Sequence, residues 1–203
     1  LHVFDTEMGP QTEHIVLDNT EAGYQFIHKN SGKFAYFLDN AGKELFFDLA
    51  FIDYLLTSNL AKEMTCFLKN QPFFVSDAMP RDLNKSLNAL RASTSKETRD
   101  LANRLKQFIN TGQIKLQYPP FLTTGRMFCQ LPETLNNHLA SHDLVILKGD
   151  VNYRRLFGDR HWPHTTPTTQ AAGYFPTNVL SLRTLKAEII LGLSKQKLEA
   201  IKS

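Results

Sequence analysis

The chain has 203 residues, 42% hydrophobic and 21% charged, a balance that suits a folded α/β domain and excludes a disordered or fibrous chain. Its 23 Lys and Arg against 20 Asp and Glu leave a net charge of +3 with no long basic run, so no nucleic-acid partner is expected. No apolar run reaches the ~18 residues of a membrane span, and two cysteines, Cys66 and Cys129, do not make a disulfide framework. They read as thiols of a reducing compartment. No secretory leader is visible, and a cytoplasmic location is expected.

The first apolar run is Ile15-Val16-Leu17, after which Asp18, Asn19 or Thr20 can cap a helix reaching about Lys29. Asn30-Ser31-Gly32-Lys33 is turn-forming and leads into residues 34–38, a continuous apolar run. That is the pattern of a parallel strand buried on both faces. It ends at Asp39-Asn40. Leu45, Leu49, Ile52, Leu55 and Leu56 then recur at helical spacing. Residues 64–68 predict the next strand, and residues 73–75 a short one that runs into Ser76-Asp77.

Residues 80–110 are polar with a helical period, enough for two helices. Residues 114–117 predict a short strand, and Pro119-Pro120 to Arg126 a loop. Residues 133–142 predict a helix and 144–147 a buried strand closed by Lys148-Gly149-Asp150. The Thr- and Pro-rich stretch 161–178 predicts an irregular loop. Residues 179–182 predict a last strand, and a last helix from Lys186 to about Lys202 would put Lys186 at its N-terminus.

Strands alternating with helices predict a three-layer α/β fold: a mostly parallel, Rossmann-like sheet with helices on both faces. Ligands of such folds bind beyond the carboxyl ends of the strands. Three predicted strands end in acids or amides: at Asp39-Asn40, at Ser76-Asp77 and at Lys148-Gly149-Asp150. If these strands are neighbours, Asp39, Asn40 and Asp77 offer two carboxylates and an amide carbonyl. An oxygen-only set suits Mg²⁺ or Mn²⁺. Lys148, Asn152, Arg154, Arg155 and Lys186 supply donors for a phosphate. Each acid or amide equally fits the plainer role of a helix N-cap, and Leu17-Asp18-Asn19 repeats Leu38-Asp39-Asn40 with nothing to support a site. His161 and His164 flank Trp162-Pro163 but lack the further ligands a zinc ion needs. There is no Gly-rich phosphate loop and no Gly-x-Ser-x-Gly elbow.

Four motifs stand in order: 37–45 (Phe-Leu-Asp-Asn-Ala-Gly-Lys-Glu-Leu), 74–77 (Phe-Val-Ser-Asp), 147–154 (Leu-Lys-Gly-Asp-Val-Asn-Tyr-Arg) and 183–186 (Arg-Thr-Leu-Lys). Together they make the stretch from about His14 to Leu193 resemble the damage-control phosphatase family. The likeness is to its subgroup marked by Arg-Thr-x-Lys, also called acidic residue methyltransferases or sugar phosphate phosphatases. The resemblance implies a divalent metal (Mn²⁺, Co²⁺, Ni²⁺ or Mg²⁺) held by Asp39, Asn40 and Asp77, which are also the implied catalytic residues. It implies substrate contacts from Asp150, Val151, Asn152, Tyr153, Arg154 and Lys186. The implied reaction is hydrolysis of phosphate monoesters of small metabolites, hexose phosphates such as fructose 1-phosphate or fructose 6-phosphate. On this basis Asp77→Ala is expected to abolish metal-stimulated activity and leave the fold largely intact.

Val151 stands where the family more usually has Leu. The family also carries a helical N-terminal domain and a final C-terminal strand, so residues 1–203 are expected to be one α/β catalytic domain short of both. The loop 154–178 is expected to lie over the metal and select substrates through Arg155, Asp159, Arg160, His161, Trp162 and His164. Two other function classes stand beside the phosphatase. One is an S-adenosylmethionine-dependent protein carboxyl methyltransferase, although no Gly-rich loop with an acidic ribose partner is present. The other is a phosphometabolite-binding module without turnover.

Overall fold

The computed structural model describes residues 15–202. Five strands, β1 (Gly32–Phe37), β2 (Ala61–Phe67), β3 (Ile114–Gln117), β4 (Leu144–Lys148) and β5 (Asn178–Leu182), form one sheet. Every pairing in it is parallel, in the order β3-β2-β1-β4-β5. The central strands are apolar on both faces because both faces are covered. Phe34 and Tyr36 of β1, with Leu38 just beyond it, turn to one core, and Ala35 and Phe37 to the other.

The first core is closed by α1 (Thr20–Lys29), α2 (Lys43–Thr57), α3 (Pro80–Arg91) and α4 (Lys96–Thr111). The second is closed by α5 (Glu133–Ala140), α6 (Asp150–Leu156), α7 (Thr168–Ala172) and the segment carrying Phe121, Leu122 and Phe128. A further helix, α8 (Lys195–Lys202), follows. The layers expected from sequence are therefore present. Local chemistry sets several boundaries. Pro80 opens α3, where Asp82 accepts from the Met79 amide at 3.0 Å. Ser95 caps α4, and Gly112 ends it in the left-handed conformation.

From β1 the chain steps outward through β2 to β3, then returns to the opposite side of β1 for β4 and β5. The strand order reverses between β1 and β4. Helices leave the two strands towards opposite faces there, which opens a crevice at their carboxyl ends.

Three sequence expectations are corrected. Residues 73–75 form no strand: a turn runs over 74–76, Phe74 has φ +51° and both Phe74 and Val75 are exposed. Three apolar residues after a proline have no sheet neighbour to pair with, and the chain must reverse here. Lys186 does not start a helix. Residues 183–194 are irregular because long-range partners take their backbone groups. Asp150 accepts from the amides of Lys186 and Ala187, the Tyr153 hydroxyl from Leu191, and the carbonyls of Thr166 and His164 from Gly192 and Leu193.

The third concerns Arg155, which is no phosphate ligand. It is buried and donates to the carbonyls of Arg126, Leu122 and Phe121 at 2.9, 3.2 and 3.1 Å, with its guanidinium over the rings of Phe121 and Phe128. Burial pushes its pKa down to about 10, still high enough to keep it charged at neutral pH. Arg155→Ala should strand three carbonyls and open a cavity, costing about 3–5 kcal/mol in urea denaturation.

Candidate functional site

The site grows from strand register. Phe37 pairs with Phe67 on β2 and with Leu147 on β4. One further backbone bond, from the Leu38 amide to the Phe67 carbonyl (3.1 Å), extends the first pairing. Asp39 thus emerges with Lys69 on one side and Lys148-Gly149-Asp150 on the other. Gly149 has φ +87°, and a Cβ there would lie 2.0 Å from Asp39 Oδ2 and 2.2 Å from its Cγ. Only glycine lets the end of β4 come down on Asp39.

Asp77 arrives by another route. The turn at 74–76 sends the chain back antiparallel to the end of β1. Ala41 donates to the Ser76 carbonyl at 2.7 Å, Ala78 to that of Asp39 at 2.8 Å, and Lys69 to that of Ala78 at 3.0 Å. The short segment is wedged between the extensions of β1 and β2, which sets Asp77 opposite Asn40.

The result is a cleft of about 250 Å³ at the switch point. Asp39, Asn40 and Glu44 form one wall, Lys148, Gly149 and Asp150 the floor, and Arg183, Thr184 and Lys186 the rim. On the acidic wall, Asn40 Nδ2 donates to Asp39 Oδ2 and to Glu44 Oε2, both at 2.8 Å, while its Oδ1 accepts from Ser76 at 2.6 Å. Burial, then the neighbouring charge of Glu44, pushes the Asp39 carboxyl up to about 6; Lys69 opposes this and Asp77 adds to it.

These residues fit a hard cation. A donor group lies between two carboxylate oxygens, in the place a cation would take. Turning the Asn40 amide over would swap it for a carbonyl oxygen, and Ser76 Oγ accepts as well as it donates. Among the described residues no three His, Cys, Asp or Glu close on one point, so an ion here needs the Asn40 amide in its shell.

Lys148 lies 3.1 Å from Glu44 and 3.3 Å from Asp48, and Tyr36 donates to Asp48 at 2.8 Å from behind. Arg183 pairs with Asp150 at 3.1 Å, lies 4.0 Å over the Tyr153 ring, and donates to the carbonyls of Ala187 and Ile189. Lys186 is exposed on the rim and its charge acts on Asp39.

The structure thus brings Asp39, Asn40, Asp150 and Lys186 to one cleft, with Asp77 behind Asn40. Val151, Asn152, Tyr153 and Arg154 do not line it. Val151 is half-buried in α6, and Asn152 is buried and donates to the Lys148 carbonyl at 2.8 Å. Tyr153 is buried under Arg183, and Arg154 forms a two-point pair with Asp159 at 2.8 and 2.7 Å. The loop expected over the metal is elsewhere: no residue of 155–178 lines the cleft. Trp162 donates to the Phe157 carbonyl at 2.8 Å and packs on the second core, and His164 bonds to Ile190 O. Residues 183–186 take its place.

Sequence reasoning missed Glu44, Lys69 and Arg183. Lys69 was findable: Phe67-Leu68-Lys69-Asn70 repeats the pattern of Phe37-Leu38-Asp39-Asn40, and the strand-end rule applies equally to both.

Residues 9–201 match the family described as "Damage-control phosphatase ARMT1-like domain". Proteins named "Damage-control phosphatase ARMT1" from Danio rerio and Xenopus laevis are each 39% identical to the chain over 160 residues, and that from Homo sapiens 37%. Each match covers 77% of this chain and 36% of the relative, so the chain spans about a third of their length. A crystal structure of a DUF89 family protein from Pyrococcus horikoshii superposes with a TM-score of 0.51, covering 92% of this chain and 48% of that one. At 16% identity it speaks for the fold alone. The chain belongs to the damage-control phosphatase ARMT1-like family.

Proposed function

We propose that this chain is the catalytic part of a divalent-metal-dependent phosphomonoesterase acting on small phosphorylated metabolites, hexose phosphates such as fructose 1-phosphate or fructose 6-phosphate in particular. One observation carries the reading. At the switch point an oxygen-donor wall of Asp39, Asn40 and Glu44 meets the cations Lys148, Arg183 and Lys186 in a single cleft. A phosphate monoester with its metal needs this pairing of hard anionic ligands and fixed positive charge.

Asp39, Asn40 and Asp77 are the residues that would hold the ion. Their oxygen-only donors suit Mg²⁺ or Mn²⁺, and Co²⁺ or Ni²⁺ are the further candidates. Bound there, the ion would polarise the phosphoryl group and orient its oxygens. Lys148 is held by Glu44 and Asp48 and offers its charge without reorganising. Asp150, Tyr153 and Arg183 form one unit that anchors residues 183–191, of which Arg183, Thr184 and Lys186 line the cleft. In this reading the Asp150–Arg154 and Arg-Thr-x-Lys motifs are two halves of one clamp, whose product is the position of Lys186.

The test is phosphate release from fructose 1-phosphate, fructose 6-phosphate and an aryl phosphate with each metal supplied in turn. Metal-dependent release supports the proposal. Binding of fructose 6-phosphate without release under any metal would make the chain a binding module instead. Metal-independent methyl transfer from labelled S-adenosylmethionine to protein carboxylates would make it a methyltransferase.

Lys186 makes no ion pair among the described residues, so its ammonium is available to a phosphate oxygen. Lys186→Ala should lower kcat/KM for sugar phosphates by ~10–100-fold, the worth of one charge-assisted hydrogen bond. The melting temperature should not move, because the side chain is exposed. Unchanged kinetics would remove Lys186 from the site.

A further inference from the structure

Lys69 is 2% exposed, among the most buried side chains of the molecule, and its ammonium meets the also buried Asp77 at 2.9 Å. Lysine is almost never fully buried unless paired, and burying an ion pair is usually a poor route to stability. A sheet end that needed only packing would carry an apolar residue here. Its backbone is engaged as well, since the Lys69 amide donates to Ala78 O, so Lys69 grips the 76–78 segment at two points. Asp77 Oδ1 accepts no hydrogen bond among the described residues. The contact is therefore chiefly one of charge with charge.

Asp39 and Glu44 both accept from the Asn40 amide, and Asp77 stands opposite Asn40. Glu44 has Lys148, and Asp39 has the Asn40 amide. Asp77 has Lys69.

We propose that Lys69 is a positioning residue and the resident counter-cation of the metal site. It holds Asp77 in its ligating place when no metal is bound, and it commits one carboxylate oxygen, Oδ1, so that Asp77 offers the ion only the other. The proposal rests on the metal reading of Asp39, Asn40 and Asp77 given above. Two consequences follow from charge. Without metal, Lys69 lets the acidic cluster fold. With metal, its positive charge opposes the ion, which sets the affinity lower than the carboxylates alone would give and keeps the ion exchangeable.

The experiment is Mn²⁺ titration followed by calorimetry and by thermal melting, on the parent, Lys69→Met and Lys69→Gln. Glutamine is the second variant because it loses the charge yet keeps a polar side chain of similar length beside Asp77, which protects against simple misfolding. Both variants should melt lower than the parent without metal. Both should bind Mn²⁺ about tenfold or more tightly, since an adjacent like charge has been removed, and should gain more in melting temperature on adding Mn²⁺. A lysine that merely supports the fold would lower both melting curves and weaken or leave unchanged the Mn²⁺ affinity. That result, with Mn²⁺ binding intact in the parent, overturns the proposal alone. Absence of Mn²⁺ binding in the parent and both variants overturns the metal reading and the proposal with it.

Discussion

Gly149→Ala is expected to abolish metal-stimulated phosphate release, with kcat/KM falling by at least about a hundredfold, the scale of a 1 Å misplacement at a reacting centre. The new methyl carbon would sit 2.0 Å from Asp39 Oδ2 and 2.2 Å from its Cγ. Neither can yield cheaply. Asp39 is the residue directly beyond the Leu38 backbone pairing to β2, and Gly149 is held by its own amide bond to Leu182 O at 2.9 Å. The backbone at 149 has φ +87° and ψ 164°, a region that essentially only glycine adopts and that costs an alanine about 1–3 kcal/mol before any clash. Overpacking adds about 1–3 kcal/mol. The domain should still fold, at reduced stability, because both cores lie away from this contact. Calorimetric Mn²⁺ titration separates the effects: loss of binding in a protein that melts cooperatively marks the site as the casualty. Retained Mn²⁺ affinity would show that Asp39 moves aside without ceasing to ligate.

Asp77→Ala should cost stability as well as activity, against the sequence-based expectation that the fold would stay largely intact. The replacement leaves the Lys69 ammonium buried without its direct ion-pair partner. Breaking such a pair from one side costs about 3–5 kcal/mol, a large share of the roughly 5–15 kcal/mol that holds a domain together. Urea denaturation without metal measures it. The double variant Lys69→Met/Asp77→Leu removes both charges and should recover most of that loss, because burying an ion pair contributes little net stability. It should nonetheless bind no Mn²⁺. If Asp77→Ala alone unfolds within about 1 kcal/mol of the parent, the range of an exposed pair, then Lys69 reaches solvent and the buried-pair description fails.

Burial leaves its mark on local sequence, and that is why so much of the fold was legible. A strand covered on both faces is largely apolar, so residues 34–38, 64–68 and 144–147 announced themselves, and helices α2 to α5 followed from period. Alternation of the two implied a parallel sheet, and a parallel sheet implied that its carboxyl ends hold the chemistry. Asp39, Asn40 and Asp150 were found that way. The short helices α6 and α7 were not, because five to seven residues carry less than two turns of periodic signal.

What the sequence could not decide was which chain ends meet. Asp77 reaches Asn40 only because a turn with a positive φ at Phe74 folds residues 76–78 back between two strands, and no local pattern distinguishes that from a third strand. Lys186 looked like the start of a helix because propensity is local, whereas the bonds from Asp150, Tyr153, Thr166 and His164 that prevent a helix come from far along the chain. Arg155 and Arg154 are neighbours of the same type, yet one is buried under carbonyls and the other pairs with Asp159 near the surface. The residue types at this site were written in the sequence. Their partners, and so their roles, were set by strand order and register, which exist only once the sheet has formed.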